Sequence, residues 1–388
     1  MDDKIKNYLL ILTICSTIIE NMGGFPLYVT ATYFLVSLID RRSFKAIINY
    51  KMGIQLSILW IVLFVYISIT TLLYAVYRDP SLALMKWFKA ILLFSLVLKD
   101  TYNNPKLILN IAVCYTITAF ICAILMINGI GVELYGYSFG EVRMTFLGTN
   151  ENKMAMVYVY SFAFNLYILD KYLHKMTIVF LCVISMILYL YIIANFASRG
   201  ALICIMIILA YYFAIYNNSS SVFKNIAMLI VGFFIVMYAY NYMTNVDVFS
   251  RRVEMTEEGD YGSRDILVRA AFTIFIEHSF FGVGLIKVMY DIYDLTGHVK
   301  TPHNLFLYIL AAGGLVGFSI FMTLIFKAIL FIYRYGHKKR LFLPVLPFIC
   351  VLIDFAKNGG ALTGGINYAL FALSINMCYL HRYQYKYI

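Results

Sequence analysis

Long apolar runs separated by short charged segments recur along the whole chain, and they leave few folds open to it. They lie at about 6–20, 24–39, 53–76, 81–98, 107–128, 153–170, 176–195, 200–216, 225–243, 303–333, 341–358 and 361–380. A helix needs about 20 apolar residues to cross a hydrocarbon core of about 30 Å, fewer where its ends snorkel. Backbone groups left unpaired in lipid are costly, so each run is expected to be helical rather than a strand of an open sheet. Of the 388 residues, 62% are hydrophobic and only 13% charged, against about a quarter charged in a soluble domain. Too few charges remain to cover a soluble surface, which argues against soluble enzymes and nucleic-acid readers. The expected fold is an all-α polytopic membrane protein with about twelve transmembrane helices.

The 31 Lys and Arg against 20 Asp and Glu give +11, an excess that positive-inside loops account for without a polyanion partner. With the N-terminus inside, Lys4/Lys6, Arg41/Arg42, Lys99/Lys106, Lys171/Lys175, Lys224, Lys338/Lys339/Arg340 and Arg382/Lys386 all fall on the cytoplasmic side. No small-residue cleavage site follows the basic lead, so the first run is expected to be a retained helix. The outer face then receives residues 129–152, the turn at Ser198 and Arg199, a loop over 244–302 and the turn near Asp354. This divides the chain into spans over 1–243, an outer loop over 244–302 and spans over 303–388. Cys15, Cys114, Cys122, Cys182, Cys204, Cys350 and Cys378 all sit in apolar runs without CxxC spacing, the pattern of buried thiols rather than of a disulfide or zinc site.

The outer loop is the only polar segment large enough to be a functional insertion. Within it, Ile266, Leu267, Ala270, Ala271, Ile274 and Phe275 recur at helical spacing. An amphipathic helix is expected there, lying on the membrane or across the bundle mouth, because Arg269, Glu277 and His278 suit lipid poorly. Three helices that run inward begin at polar clusters: Arg143 to Asn152, Ser198-Arg199-Gly200, and Thr301-Pro302-His303-Asn304. Thr301 suits a cap and Pro302 a first helical position. Helix starts carry free amides and the positive end of the macrodipole, so several of them facing one cavity would suit a phosphate. Arg199, between two apolar runs, is a site candidate or a headgroup anchor; His303 is a site candidate or a neutral helix-start histidine. Arg264 and Arg269 carry guanidinium forks suited to phosphate, or pair with acids such as Glu254, Glu257 and Asp265. Walker, HExxH and DxD patterns are absent from the sequence, so neither a metal nor a nucleotide cofactor is expected.

His303-Asn304, nine residues, then Gly314-Leu-Val-Gly317 resembles the signature of O-antigen ligases and the related O-antigen and capsule polymerases. Ser198-Arg199-Gly200-Ala201, Ser263-Arg264-Asp265 through Gly282-Val-Gly284, and Arg143 to Asn152 are similar to that family's other motifs, in the same order. The resemblance covers roughly residues 140–320. It implies a GT-C-like glycosyltransferase with one large periplasmic loop between helices nine and ten. Its donor would be an oligosaccharide on undecaprenyl diphosphate, transferred without metal or other cofactor. Arg199 and Arg264 would hold the diphosphate and His303 would act on the acceptor hydroxyl or the leaving group. Arg143, Asn152, Arg269 and Asn304 would bind diphosphate or sugar.

The implied setting is the bacterial inner membrane, with both termini cytoplasmic and the site facing the periplasm. Membrane lipid, a chain-length regulator and a flippase of the same pathway would be partners, and no nucleic acid. A polymerase transfers the chain to another lipid-linked repeat unit, a ligase to a lipid A-core sugar; the Pro302-His303-Asn304 form and the Tyr-rich composition look more like polymerases. A lipid-sugar transporter is the alternative of another class. Lys86, Lys89 and Lys327 are the only mid-span charges that would favour it, and the halves show no pairing as repeats.

Overall fold

The computed structural model describes residues 3–19, 24–40, 50–74, 79–136, 142–196, 198–212, 264–297, 300–336, 345–357 and 362–384. In chain order the helices are α1 (Asp3–Ser16, continued by a 3-10 turn Thr17–Ile19), α2 (Phe25–Ile39), α3 (Lys51–Leu73), α4 (Ser81–Thr101) and α5 (Pro105–Ile127). Strands β1 (Val132–Gly136), β2 (Val142–Phe146) and β3 (Thr149–Asn150) follow. Then come α6 (Glu151–Tyr172), α7 (Met176–Asn195), α8 (Arg199–Tyr211), α9 (Arg264–Glu277), α10 (Leu285–Thr296), α11 (Leu305–Gly336), α12 (Val345–Lys357) and α13 (Gly365–Gln384).

Among the described residues, α3, α4, α5, α7 and α11 are long and apolar enough to cross a membrane, while α2 and most of α8 are shorter apolar helices. The chain is therefore a mostly helical, polytopic membrane protein. The expected span at 225–243 lies outside the described residues. Outward faces such as Ile58, Ile61, Val65 and Ile69 on α3, and Phe180, Ile184 and Ile187 on α7, are apolar and exposed, as surfaces that meet acyl chains rather than water are. Two helices are buried along most of their length. Every residue of α6 from Met154 to Ile168 is buried, as is α13 from Gly365 to Tyr379, so these two form the centre around which the others pack.

Polar side chains inside this centre are bonded to neighbouring helices. Asn165 donates to the Ser185 hydroxyl at 2.7 Å, Tyr189 to the Thr116 carbonyl at 2.8 Å, and the Trp87 indole to the Tyr368 hydroxyl at 2.8 Å. Of the seven cysteines, all but the half-buried Cys114 are buried. Helix ends meet as alternating spans require. Lys6 of α1, Asp40 after α2 and Asp100 of α4 come together at one end, where Tyr50, Tyr102 and Tyr379 also stack at 4.6–5.1 Å. The opposite end holds the starts of α6 and α8 and the close of α3 and α12.

Three departures from the sequence reading concern the polar end. First, the fold is not purely helical: β1, β2 and β3 form a three-stranded antiparallel sheet between α5 and α6. The β2–β3 turn has φ 48° at Leu147 and 71° at Gly148, the paired positive values a two-residue hairpin requires. Second, the outer loop carries two helices rather than one. The amphipathic helix ends at Glu277, with Leu267, Ala270, Ala271 and Ile274 buried, and α10 follows, burying Leu285, Val288 and Ile292.

Third, α11 is broken at Gly314, where φ is 58° and ψ −162°. In an unbroken helix the amides of Leu315 and Val316 would donate to the carbonyls of Ala311 and Ala312. Here all four groups turn to the segment linking α9 and α10. Leu315 donates to the Ser279 carbonyl at 2.8 Å, Val316 to Phe280 at 3.2 Å, Val283 to Ala311 at 3.2 Å and Gly284 to Ala312 at 2.8 Å. The break therefore leaves none of these buried groups unpaired, the condition on which irregular backbone survives among membrane helices. Residues 315–336 still give about 33 Å of helix.

Candidate functional site

At the polar end, α6 and α8 start side by side. Ser198 precedes α8 but makes no side-chain cap to it; its hydroxyl donates instead to Asn152 Oδ1 at 3.3 Å. The amides of Ala201 and Leu202 donate to the Ser198 carbonyl at 3.0 and 3.2 Å. The earlier amides of the turn, at Arg199 and Gly200, lack the serine oxygen that ordinarily serves a helix start.

The last residue of α12 lies over this turn. A β-carbon at Gly200 would sit 1.7 Å from the Lys357 ammonium nitrogen, so glycine is what lets the ammonium reach the helix start. Arg264, first residue of α9, acts electrostatically on Lys357 as a like charge. One turn before Lys357 on α12, the buried Asp354 accepts from Asn367 Nδ2 at 2.7 Å. Asn367 Oδ1 in turn accepts from Tyr160 at 2.6 Å. Lys153 and Lys357 both act on Asp354 as opposite charges. Elements from α6, α8, α9 and α12 thus bring Lys153, Arg264, Lys357 and an uncapped helix start into one neighbourhood, which also holds the carboxylate of Asp354.

His303 stands just before α11 with φ 49°, a left-handed conformation uncommon outside glycine. The cap expected from Thr301 is made by Asn304, whose Oδ1 accepts from the Leu307 amide at 3.1 Å. The helix accordingly begins at Leu305, and Pro302 lies outside it. Asparagine is among the strongest caps and stands directly before the apolar run, so it outcompetes the threonine three residues earlier. Tyr308, one turn in, donates to the Leu285 carbonyl at 3.1 Å and ties this start to α10.

Of the residues named from sequence, the structure brings Asn152, the backbone of Arg199 and Arg264 into this neighbourhood. The Arg199 side chain lies outside the described residues. Arg143 sits on β2 opposite Tyr135, with its side chain likewise outside them. Arg269 is exposed; five residues turn it about 140° around α9 from Arg264, so the two do not share a face. Sequence reading left Lys153 and Lys357 unnamed. Both were visible as charges at the outer ends of runs, the signal that had singled out Arg199.

A polytopic helical membrane protein that gathers basic groups and helix starts at one end of its bundle is the class this fold and site define. Residues 184–322 match the family model described as O-Antigen ligase, and the match supports the O-antigen polymerase and ligase superfamily for this chain. That family covers O-antigen polymerases and ligases, and its members are glycosyltransferase-like enzymes. The matched stretch includes Arg199, Arg264, Arg269, His303, Asn304 and the break at Gly314; Arg143, Asn152, Lys153 and Lys357 lie outside it. No curated protein matches the chain.

Proposed function

We propose that the protein is a polymerase of O-antigen or a related surface polysaccharide. It transfers a growing glycan from undecaprenyl diphosphate to the non-reducing end of a lipid-linked repeat unit, on the periplasmic side of a bacterial inner membrane and without a metal. The reading is carried by one observation: basic groups and an uncapped helix start from four separate elements lie together, an arrangement suited to an anionic leaving group.

In this reading Arg199 and Arg264 hold the diphosphate and His303 is the base. The imidazole takes the proton of the acceptor hydroxyl as its oxygen attacks the anomeric carbon. The bond from that carbon to the diphosphate oxygen breaks, and the electron pair leaves on the diphosphate. Cations fixed where that charge grows stabilise the transition state more than the ground state. Asn304 holds His303 at the head of α11, while Asn152, Arg143 and Arg269 are the candidates for sugar or diphosphate contact. A chain-length regulator and a flippase of the same pathway are the expected partners.

The test is purified protein, a defined lipid-linked repeat unit and no added metal or nucleotide. Products carrying several repeats on lipid support the proposal; transfer only to a lipid A-core acceptor makes the protein a ligase. Turnover that needs a closed vesicle and an ion gradient would make it a transporter. Full activity of Arg199→Lys, which keeps the charge but loses the fork, would reduce Arg199 to a headgroup anchor.

A further inference from the structure

Lys357 sits between the start of α8 and two charged neighbours, Asp354 and Arg264. Its ammonium lies against Gly200 in the first turn of α8, the positive end of that helix dipole. Arg264 adds a like charge. Its acidic neighbour on the same helix, Asp354, accepts from Asn367 at 2.7 Å and acts on Lys357 as an opposite charge from a distance. The opposite charge of Asp354 draws the ammonium to this side of α12. Gly200, by lacking a β-carbon, keeps the place open to it. An anion placed between the ammonium, the first amides of α8 and Arg264 would meet a positive group on each of these sides.

We infer that Lys357 is a direct ligand of the donor's diphosphate, reaching it across Gly200 from α12. The inference rests on the diphosphate-donor reading above and adds an element that neither the matched stretch nor the sequence motifs contain. Lysine contributes a compact charge with three donors, complementary to the planar fork of an arginine. One phosphate then has the ammonium and the α8 amides, and the other is left for the guanidinium groups. Gly200 acquires a stated role: it is the gap through which the lysine acts.

Detergent-purified full-length protein is titrated with undecaprenyl diphosphate and, separately, with inorganic pyrophosphate, and binding is read from the ligand-dependent rise in unfolding temperature. Lys357→Met should unfold at the wild-type temperature without ligand and bind either probe about tenfold more weakly, the scale of one lost charge-assisted contact. Gly200→Ala should weaken binding to a similar extent, because its methyl group displaces the ammonium, and the double variant should bind no worse than either single one. If Lys357→Met keeps wild-type affinity while Arg264→Met loses it, the role of Lys357 is overturned and the diphosphate reading stands. Absence of any response to either probe in the wild type overturns that reading and this inference with it. A response to the lipid that pyrophosphate cannot compete, unchanged in Lys357→Met, assigns binding to the polyprenyl chain and also overturns the inference.

Discussion

His303 holds its side chain by means of an unfavourable backbone. Its φ of 49° brings a β-carbon close to its own carbonyl, at a cost of about 1–2 kcal/mol that glycine escapes. Such strain persists only where the surroundings impose it, and it concentrates at functional sites. Glycine therefore separates the imidazole from the fold: His303→Gly should unfold at or slightly above the wild-type temperature yet make no polymer, as read from a melting curve and a chain-length gel on the same preparation. His303→Ala loses the same activity and keeps the strain. Equal polymer length in His303→Gly would end the base assignment. Asn304 acts differently. Asn304→Ala should lose about 1 kcal/mol through the missing cap, measured by thermal unfolding, and Asn304→Asp should recover most of it. At this scale the residue types His303 and Asn304 were legible in the sequence as a pair. Their division of labour was not, because Thr301 and Pro302 offered an equally good helix start until coordinates showed which oxygen meets the amide of Leu307.

The segment that links α9 to α10 and the break in α11 form one element made from two distant pieces of chain. Gly282, Gly284 and Gly314 all have positive φ, and a β-carbon at any of them would lie 2.4 Å from backbone: Ala312, Thr71 and Phe280 respectively. Gly317 faces the Tyr66 ring at 3.1 Å, and Gly313 meets Ile67 at an ordinary 3.4 Å. A graded series follows. Gly314→Ala should cost about 3 kcal/mol, adding strain at φ to overpacking; Gly317→Ala should cost less, and Gly313→Ala should stay within about 0.5 kcal/mol. Unfolding temperatures of the three variants in one detergent check the order, and a destabilised Gly313→Ala beside a neutral Gly314→Ala would refute the pairing. The glycine motifs are visible in the sequence and resemble those of the family. That they grip each other was not visible, because pairing between residues 279–284 and 311–316 depends on three-dimensional register that no local pattern carries. The second outer helix was legible: Lys287 and Asp291 pair at i,i+4, 2.6 Å apart, and Leu285, Val288 and Ile292 keep helical spacing.

The two ends of the bundle treat lysines in opposite ways, and this separates scaffold from site. At one end, Lys6 pairs with Asp40 and lies 3.4 Å from Asp100, while Lys99 lies 3.5 Å from the same carboxylate. Asp100 also accepts from Tyr33 at 2.9 Å and Ser37 at 2.6 Å, so α1, α2 and α4 are held together by charges that the protein itself neutralises. Removing one partner of such a set leaves the others buried and uncompensated, at about 3–5 kcal/mol. Asp100→Asn should therefore lose stability on that scale whether or not any ligand is present. At the other end, Lys357 is seated by a glycine and a helix start, with like charge beside it. Arg264 repels its ammonium and Asp354 attracts it, so the two effects of removal oppose each other: ligand-free Lys357→Met should stay near wild-type stability, with the loss appearing only when diphosphate is added. Measuring both variants with and without undecaprenyl diphosphate gives four unfolding temperatures. A ligand-independent loss in Lys357→Met equal to that of Asp100→Asn would make the lysine another strut. The opposite pattern makes one end of the molecule its frame and the other the place where an anion completes the fold.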